Sequence, residues 1–290
     1  MAEPLPICYL NGAFLPLREA RISPLDRGFL YADGVYEVMP VYGGRPFRFG
    51  AHLQRLAGSL AGISMEDPHT RDEWRAILGG LIERNGGGEQ YVYWQVTRGA
   101  EYGRNHAPLP HIARTVFAFG APLAPNSPAV LERGVSCITA VDTRWARCDI
   151  KSTALLANVL LRQLAVEADA QETILLRDGE LTEASASSVH IVLGGEVRVP
   201  PNSRRLLPGT TRSAIEELAA RAGVACRVVP VSEAQLRAAD EVWLSAATRE
   251  LQPVTALDGH AVGTGRPGPL WRRVYETLQK YKQELAGTPW

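Results

Sequence analysis

The spacing of apolar and polar residues changes along the chain and predicts where strands and helices lie. Near the start, the segments ICYL and AFLPL flank Asn11-Gly12, and YEVMPVY and RPFRF flank Gly43-Gly44. Residue pairs of this kind accept the positive φ angles that two-residue hairpin turns require. We therefore predict that the first 50 residues form β-structure with two hairpins.

Helical periodicity follows. Apolar residues recur three and four positions apart from Leu53 to Leu60, which predicts a helix across AHLQRLAGSLAGI. Thr70 and Glu73 have the spacing of a capping box, so a second helix should begin at Thr70 and end near Gly86-Gly87-Gly88. The segments YVYWQVT and RTVFAFG then read as two strands.

A proline-rich stretch separates this part from the rest of the chain. Residues 120–129, GAPLAPNSPA, show no periodicity, and proline lacks a backbone donor, so we predict an interdomain linker. We expect an N-terminal α/β domain over residues 1–119 and a C-terminal α/β domain over residues 130–290. The elements predicted in the second domain are strand GVSCITAV, a helix from Ser152 to Asp169, hairpins at Asp178-Gly179, Gly194-Gly195 and Asp258-Gly259, a helix from about Thr211 to Ala222, strand ACRVVPV, helix SEAQLRAA, strand EVWLS and a C-terminal helix.

Composition and charge exclude several classes of protein. The 290 residues are 46% hydrophobic and 21% charged, as in ordinary globular proteins. Lys and Arg (31) balance Asp and Glu (31), which argues against a nucleic-acid-binding protein. There is no membrane-length apolar stretch and no basic region followed by a long apolar run at the N-terminus. The four cysteines form no CxxC pair, so we expect no metal site and a reducing, cytoplasmic location.

Lys151 is the first candidate for chemistry. A lysine taken alone is usually a solvated surface cation. Lys151, however, stands immediately before Ser152-Thr153, which we expect to cap the following helix. The positive end of that helix, with Arg144 and Arg147 nearby in the sequence, disfavours an ammonium. These features favour the neutral amine that imine formation requires.

Two further features have weaker signals. Gly209, Thr210 and Thr211 start a predicted helix, where exposed N–H groups, the helix dipole and two hydroxyls can bind an anion. An ordinary capped helix shows the same pattern, and no GxGxxG or Walker sequence suggests a nucleotide. Glu183, in DGELTEASASSVH, is either an exposed turn carboxylate or a buried acceptor for a ring N–H.

Together and in this order, these residues resemble the fold-type-IV aminotransferases that use pyridoxal 5′-phosphate (PLP), and most closely the D-amino acid aminotransferases. The resemblance extends from about Asn11 to the C-terminal helix, with agreement in order and spacing. It rests on the segments DRGFLYADGVYEV, HLQRL, YWQVTRG, RWARCDIKS, LTEASASSV, LPGTTR and the ELQPV that follows EVWLS. It implies a two-domain α/β (α+β) enzyme with PLP in the cleft between its domains.

The resemblance also implies roles for individual residues around PLP. Lys151 is similar to the lysine that carries PLP as a Schiff base and shuttles a proton. Glu183 is similar to the carboxylate that pairs with the pyridine nitrogen and makes the ring an electron sink. Residues similar to those that hold the phosphate are Arg55, Thr210 and Thr211. Ala246-Ala247 stand where the family usually offers a hydroxyl pair, so only backbone N–H groups can donate there.

The remaining matches concern the substrate. Tyr36 and Tyr93 are similar to tyrosines that line the active site. Arg104 and His106, in RGAEYGRNHAP, resemble the substrate-carboxylate trap of D-amino acid aminotransferases, in a loop one residue longer than usual. Two such groups could bind a carboxylate with charge-assisted bonds of about 1.5–3 kcal/mol each. This loop usually crosses a dimer interface, so the resemblance implies a homodimer.

We therefore expect an enzyme that moves the amino group of a D-amino acid to a 2-oxo acid such as pyruvate or 2-oxoglutarate. Three alternatives remain open. The same fold supports aminodeoxychorismate lyase, and it also supports branched-chain and (R)-amine aminotransferases, against which Arg104 and His106 argue. The third is a protein that binds PLP or another small molecule without efficient catalysis.

Overall fold

The computed structural model describes residues 3–285 of the chain. These residues form two compact units, one of residues 3–124 with Ile150–Leu155 and the other of Pro125–Asp149 with Leu156–Glu284. The outer ends of the two predicted domains, residues 1–2 and 286–290, lie outside the described residues. Within residues 3–285 there is no helix that combines the length and the apolarity needed to cross a membrane.

The first unit is a six-stranded antiparallel sheet with helices packed on it. Its elements are β1 (Ile7–Leu10), β2 (Ala13–Pro16), a 3-10 turn (Leu17–Glu19), α1 (Arg27–Tyr31), β3 (Gly34–Tyr42), β4 (Arg45–Pro46), α2 (Phe49–Gly62), α3 (Arg71–Arg84), β5 (Gln90–Thr97) and β6 (Thr115–Pro122). The strand order is β2-β1-β6-β5-β3-β4. The long strands β3 and β5 therefore lie side by side near one edge.

Local signals in the sequence account for much of this unit. Asn11 and Gly12 adopt φ angles of 47° and 99° in the β1–β2 turn, and Gly43 and Gly44 have φ angles of 56° and 78° in the β3–β4 turn. Both predicted hairpins are confirmed. The predicted capping box is also present, because Thr70 and Glu73 exchange hydrogen bonds at the start of α3.

The core of the first unit lies between one face of the sheet and helices α2 and α3. Val35, Met39 and Val41 of β3 belong to this core together with Trp94 of β5 and Leu56 of α2. Side chains alternate between the two faces of a strand. The residues between the core positions of β3 and β5 therefore point to the opposite face, away from the helices.

The second unit is a mixed sheet with flanking helices. Its elements are α4 (Pro128–Arg133), β7 (Val135–Val141), α5 (Leu156–Glu167), β8 (Glu172–Arg177), β9 (Glu180–Ala184), β10 (Ser188–Leu193), β11 (Glu196–Val199), α6 (Thr210–Arg221), β12 (Cys226–Val228), α7 (Glu233–Arg237), β13 (Glu241–Ala246), β14 (Glu250–Leu257), β15 (His260–Ala261) and α8 (Pro269–Leu285). The strand order is β12-β11-β10-β13-β14-β7-β8-β9, and β15 pairs with β14. Strands β7 and β8 are parallel and are connected through α5. Apolar residues of β8, β10, β13 and β14 form its core.

Some boundaries depart from the sequence-based predictions. The predicted linker 120–129 overlaps regular structure at both ends, because β6 runs to Pro122 and α4 begins at Pro128. Proline is tolerated at the end of a strand and in the first turn of a helix, so its presence does not exclude either element. The prediction of β-structure throughout the first 50 residues missed the short helix α1, whose N-cap is Asp26.

The chain segment that carries Lys151 also departs from the predicted domain division. We assigned Lys151 to a C-terminal domain of residues 130–290, but Ile150–Leu155 belong to the first unit. The cause is main-chain pairing: Tyr36 N–H donates to Lys151 O at 2.9 Å, and Ser152 forms a β-bridge with Val35. A short return of the chain to an earlier sheet leaves no periodic pattern in the sequence.

Candidate active site

The main chain of Lys151 runs beside β3 and is hydrogen-bonded to it. Its carbonyl accepts from Tyr36 N–H, and its own N–H donates to Ser59 Oγ of α2 at 3.1 Å. Its Nζ lies 4.1 Å from the centroid of the Tyr36 ring. The main chain of Lys151 is therefore fixed on both sides, and its side chain is half-buried over an aromatic face.

Two of the reasons given for a neutral Lys151 need correction. We expected Ser152-Thr153 to cap a helix, but α5 begins only at Leu156, and Ser152 is paired with Val35 instead. The helix dipole falls off within the first turn, so it does not act on Lys151 as proposed. Arg147 is likewise engaged elsewhere, in an ion pair with Asp149.

Tyr36 and Tyr93 lie side by side on the sheet face opposite the core. Their rings stack with centroids 5.4 Å apart, and Phe119 continues the aromatic row at 5.2 Å from Tyr93. Tyr93 also donates to Gln95 Oε1 at 2.8 Å. Burial, with a smaller contribution from Tyr36, raises the pKa of Tyr93, so this residue stays a neutral phenol. The two predicted tyrosines and Lys151 thus form one cluster.

The core-facing neighbour of Tyr36 is Glu37, a fully buried carboxylate. Arg55 of α2 donates to it from Nε at 2.8 Å and from Nη2 at 2.7 Å, and His52 Nδ1 lies 2.7 Å from Glu37 Oε2. Burial opposes the charge of Glu37, but Arg55 and His52 lower its pKa to about 2. Burial also lowers the pKa of His52, which favours the neutral ring. The predicted phosphate ligand Arg55 is therefore oriented by a permanent anion.

Glu183 is a buried, ion-paired carboxylate and not an exposed turn residue. It lies on β9, and Arg144 Nη1 and Leu207 N–H both donate to its Oε1. Arg144 also donates to both oxygens of Asp142, at 2.9 Å each. Burial opposes the charge of Arg144, yet Asp142 and Glu183 raise its pKa. The Arg144 guanidinium therefore bridges the carboxylates of Glu183 and Asp142.

The predicted anion site lies at the start of α6. Thr210 and Thr211 are buried in its first turn, with Gly209 as the N-cap. A Cβ added to Gly209 would lie 2.7 Å from Ser188 Oγ, so no larger residue fits there without a shift. Ser188 pairs in register with Ser245 of β13, which ends at Ala246.

Ser188 therefore links the N-terminus of α6 to the end of β13. Ala247 follows in the turn that leads to β14, where Arg249 N–H donates to Ala246 O at 3.1 Å. The residues predicted to surround a phosphate in the second unit thus come from two neighbouring elements. Helix N-termini with exposed N–H groups are well suited to such an anion.

Arg104 and His106 lie in an exposed loop beside Tyr31, the last residue of α1. The Arg104 Cζ lies 5.0 Å from the Tyr31 ring centroid, and the His106 ring centroid is 5.6 Å away. The Tyr31 hydroxyl is buried and has no hydrogen-bond partner among residues 3–285. The structure therefore brings together three groups that can donate hydrogen bonds, of which the sequence had suggested two.

Known proteins share both the sequence and the architecture of this chain. The family model for amino-transferase class IV matches residues 34–257. The D-alanine aminotransferase of Bacillus licheniformis is 37% identical over 93% of this chain and 94% of its own length, and that of Listeria innocua is 36% identical over 92% of each. The chain belongs to the class IV aminotransferases. A similar architecture is found in the crystal structure of the branched-chain amino acid aminotransferase of Escherichia coli. Its match to this chain has a TM-score of 0.92 at 25% sequence identity and covers 99% of this chain and 97% of that one.

As a class IV aminotransferase, the protein is a PLP-dependent enzyme that transfers amino groups, and the resemblance to the fold-type-IV family is confirmed. A second similar crystal structure is of a branched-chain amino acid aminotransferase from T.th. with pyridoxamine 5′-phosphate. It has a TM-score of 0.90 at 26% identity, covering 97% of this chain and 95% of its own. The donor chemistry of this chain fits PLP. It offers an amine on a fixed main chain, a buried carboxylate ion-paired with Arg144, and a helix N-terminus suited to a phosphate.

Three further residues pair with or lie beside predicted site residues, and the sequence did not single them out. Arg144 was read as a neighbour of Lys151, whereas it pairs with Glu183. Glu37 carried a usable signal, because a carboxylate at a core position of an apolar strand must find a cationic partner. Tyr31 carried no signal in the sequence, since its place beside Arg104 and His106 depends on a loop some 70 residues further along the chain.

Replacing Glu37 by glutamine removes the buried charge of the aminotransferase but keeps the side chain's shape. Since folding lowers the pKa of Glu37 from 4.5 to about 2, the carboxylate stabilises the fold fully above pH 4.5, and this stabilisation is lost as the pH falls towards 2. We expect Glu37→Gln to lower the free energy of unfolding at neutral pH. The difference from wild type should shrink below pH 4.5. Urea unfolding curves across this range measure it.

The matched control is Glu66→Gln, because Glu66 is exposed and loses the same charge. Surface substitutions of this kind change stability by about 0.5 kcal/mol or less. A Glu37→Gln variant whose deficit stayed constant from neutral to acidic pH would contradict the assignment of Glu37 as a permanent anion.

Proposed function

We propose that this enzyme transfers the amino group of a D-amino acid to a 2-oxo acid such as pyruvate or 2-oxoglutarate. The observation that carries the proposal is the cluster of Arg104, His106 and Tyr31, which gathers cationic and hydroxyl groups suited to a carboxylate. The relatives named D-alanine aminotransferase, at 34–37% identity over more than nine-tenths of the chain, support it.

Lys151 is the proposed catalytic residue. PLP, when bound, supplies an aldehyde that condenses with amines and a ring that accepts electrons. The Lys151 Nζ would hold the cofactor as a Schiff base and, once the substrate amine has displaced it, would as a free amine take the proton from the substrate Cα. The hydrogen bonds of its main chain to Tyr36 and Ser59 keep Nζ in place for this transfer. Tyr36 and Tyr93 present an aromatic wall beside it.

The other proposed cofactor ligands divide into two groups by charge. Glu183, ion-paired with Arg144, would accept the N–H of the protonated pyridine ring. The phosphate would be held by the guanidinium of Arg55 and, in the second unit, by Thr210 and Thr211. Ala246 and Ala247 contribute only backbone N–H groups there. With about 0.5–1.5 kcal/mol per missing hydroxyl bond, PLP would be retained less tightly than with a hydroxyl pair.

The loop of residues 101–109, here called the trap loop, sets the substrate class in this proposal. A carboxylate bound by Arg104 and His106 requires an amino acid and disfavours a simple amine. The similarity to branched-chain aminotransferases supports the shared fold, whereas a charged trap loop opposes an apolar substrate pocket at that position. Aminodeoxychorismate lyase and (R)-amine aminotransferase remain alternatives, and the experiments below distinguish them.

A homodimer is the proposed assembly, and α5 supplies the supporting surface. Leu156, Val159, Leu160 and Leu164 form an apolar stripe on this helix and are 42–73% exposed. Spacings of three and four place them on one face, and an exposed apolar stripe of this kind is usually covered by a partner. A second copy of this chain is the proposed partner. A cytoplasmic location, favoured by the cysteine pattern, also stays a prediction.

The first experiment adds single D- and L-amino acids to the purified, PLP-loaded enzyme without any acceptor and records the absorption spectrum. We expect D-alanine or D-glutamate, but not the L forms, to bleach the band near about 410–420 nm and to produce one near about 330 nm, as general PLP chemistry requires. Lys151→Ala is the control and should show no turnover. Bleaching by L-branched amino acids alone would contradict the D-amino acid assignment, and release of pyruvate from aminodeoxychorismate would identify the lyase.

Arg104→Ala tests the carboxylate trap. Loss of a charge-assisted hydrogen bond worth about 1.5–3 kcal/mol should raise the Michaelis constant for D-amino acids by about 10- to 100-fold. The Michaelis constant for a simple amine should change little, because an amine has no carboxylate. Arg104→Lys keeps the charge but loses the planar fork. Its Michaelis constant for D-amino acids should therefore lie between those of wild type and Arg104→Ala. Equal effects on amino acids and amines would remove the trap from the proposal.

Leu160→Glu tests the dimer. A charge on the apolar stripe should prevent its burial, so light scattering should report the mass of one 31.6 kDa chain for the variant and twice that mass for wild type. Val228→Glu is the matched control, because Val228 is 53% exposed on the edge strand β12 and should leave the mass unchanged. A monomeric wild type, or a Leu160→Glu variant that stays dimeric, is inconsistent with this interface.

A further inference from the structure

Arg27 of α1 is a buried arginine to which the proposed mechanism gives no role. It is 3% exposed, and its Nε donates to Asp33 Oδ2 at 2.8 Å while its Nη1 donates to Glu101 Oε1. Its Cζ lies 4.6 Å from the Tyr31 ring centroid. The guanidinium thus contacts two carboxylates and the Tyr31 ring. Arg104 lies beside the same ring.

The same guanidinium binds the main chain of the trap loop. Arg27 Nη1 donates to Asn105 O at 2.7 Å, and Nη2 donates to His106 O at 2.9 Å. These two carbonyls follow directly after Arg104 in the chain. The exposed side chains of Arg104 and His106 therefore project from a backbone that is fixed by a buried charge.

Glu101 connects Arg27 to the far end of the trap loop. Its Oε2 accepts from Leu109 N–H at 3.0 Å, while its Oε1 accepts from Arg27. Burial opposes the charge of Arg27, but Asp33 and Glu101 raise its pKa. Without the guanidinium, the Glu101 carboxylate would stand uncompensated in a loop that is expected to attract a carboxylate.

We propose that Arg27 is the positioning residue of the trap loop, so that selection of a carboxylate substrate depends on an arginine that touches no substrate. The inference rests on the proposed function, because the trap role of Arg104 and His106 belongs to it. Arginine is required here because one planar fork serves Asp33, Glu101 and two carbonyls. The single ammonium of lysine does not span these acceptors.

The test uses the PLP-loaded enzyme and the variant Arg27→Lys, which keeps the charge but loses the fork. The half-reaction with D-alanine is followed in single turnover at a series of substrate concentrations. We expect the apparent Kd for D-alanine to rise about tenfold or more, as for the loss of one charge-assisted contact, while the limiting rate stays within about threefold. The inhibition constant of propanoate, a carboxylate without an amino group, should rise in parallel.

Arg98→Lys is the matched control. Arg98 also donates to Asp33 Oδ2, at 2.8 Å, but its Nη2 donates to Ile63 O and not to the trap loop. It should lower stability without moving the apparent Kd. Equal shifts in Arg27→Lys and Arg98→Lys, or a change confined to the limiting rate, would overturn the positioning role. If Arg27→Lys does not fold, Glu101→Gln replaces it, and an unchanged apparent Kd in that variant is then decisive against the inference.

Hydrogen exchange separates this inference from the proposed function. Amides of the trap loop should exchange faster in Arg27→Lys than in wild type, and those of α3 should not. If wild type responds to no D-amino acid, the proposed function fails and the substrate part of the inference fails with it. Unchanged exchange in the trap loop would overturn the anchoring itself, whatever the substrate.

Discussion

A carboxylate removed from water must be paired with a cation, and this constraint governs the buried charges of both units of this aminotransferase. Glu37 is held by Arg55, Glu183 by Arg144 and Glu101 by Arg27. In each case a long arginine side chain reaches between elements that are distant in sequence. Removing the arginine would leave each carboxylate without its cation, so each pair fixes two backbone segments at once. Within each unit, ion pairs hold these segments in addition to the apolar core.

The ion pairs of Glu37 and Glu183 lie in different units. Glu37 and Arg55 lie on the core side of the first sheet, where they join β3 to α2. Arg144 joins Glu183 to Asp142 within the second unit. Hydrogen bonds within the chain orient the side chains of Arg55 and Arg144. Charged groups oriented in this way need less reorganisation during a reaction.

Elements encoded by neighbouring residues could be predicted from the sequence, and those encoded by distant residues could not. Asn11-Gly12 fixed a hairpin, and Thr70 with Glu73 fixed a helix start, because each signal lies within four residues. The pairing of Ser152 with Val35 joins residues more than 100 positions apart and has no local signature. The ion pair of Arg144 with Glu183, 39 positions apart, likewise has no local signature. The roles of Lys151 and Glu183 come from the resemblance to a known family and stay predictions, because their surroundings have no local signature in the sequence.

The alternation of side chains along β3 has a consequence for how this enzyme can change over time. Tyr36 and Glu37 are neighbours in the chain, yet one faces Lys151 and the other faces Arg55. Their separation depends on a register of eight residue pairs between β3 and β5. A single inserted or deleted residue in β3 would exchange the two faces, placing a carboxylate against the lysine and a phenol in the core. The enzyme can therefore change in the length of its loops, whereas β3 admits no change in length.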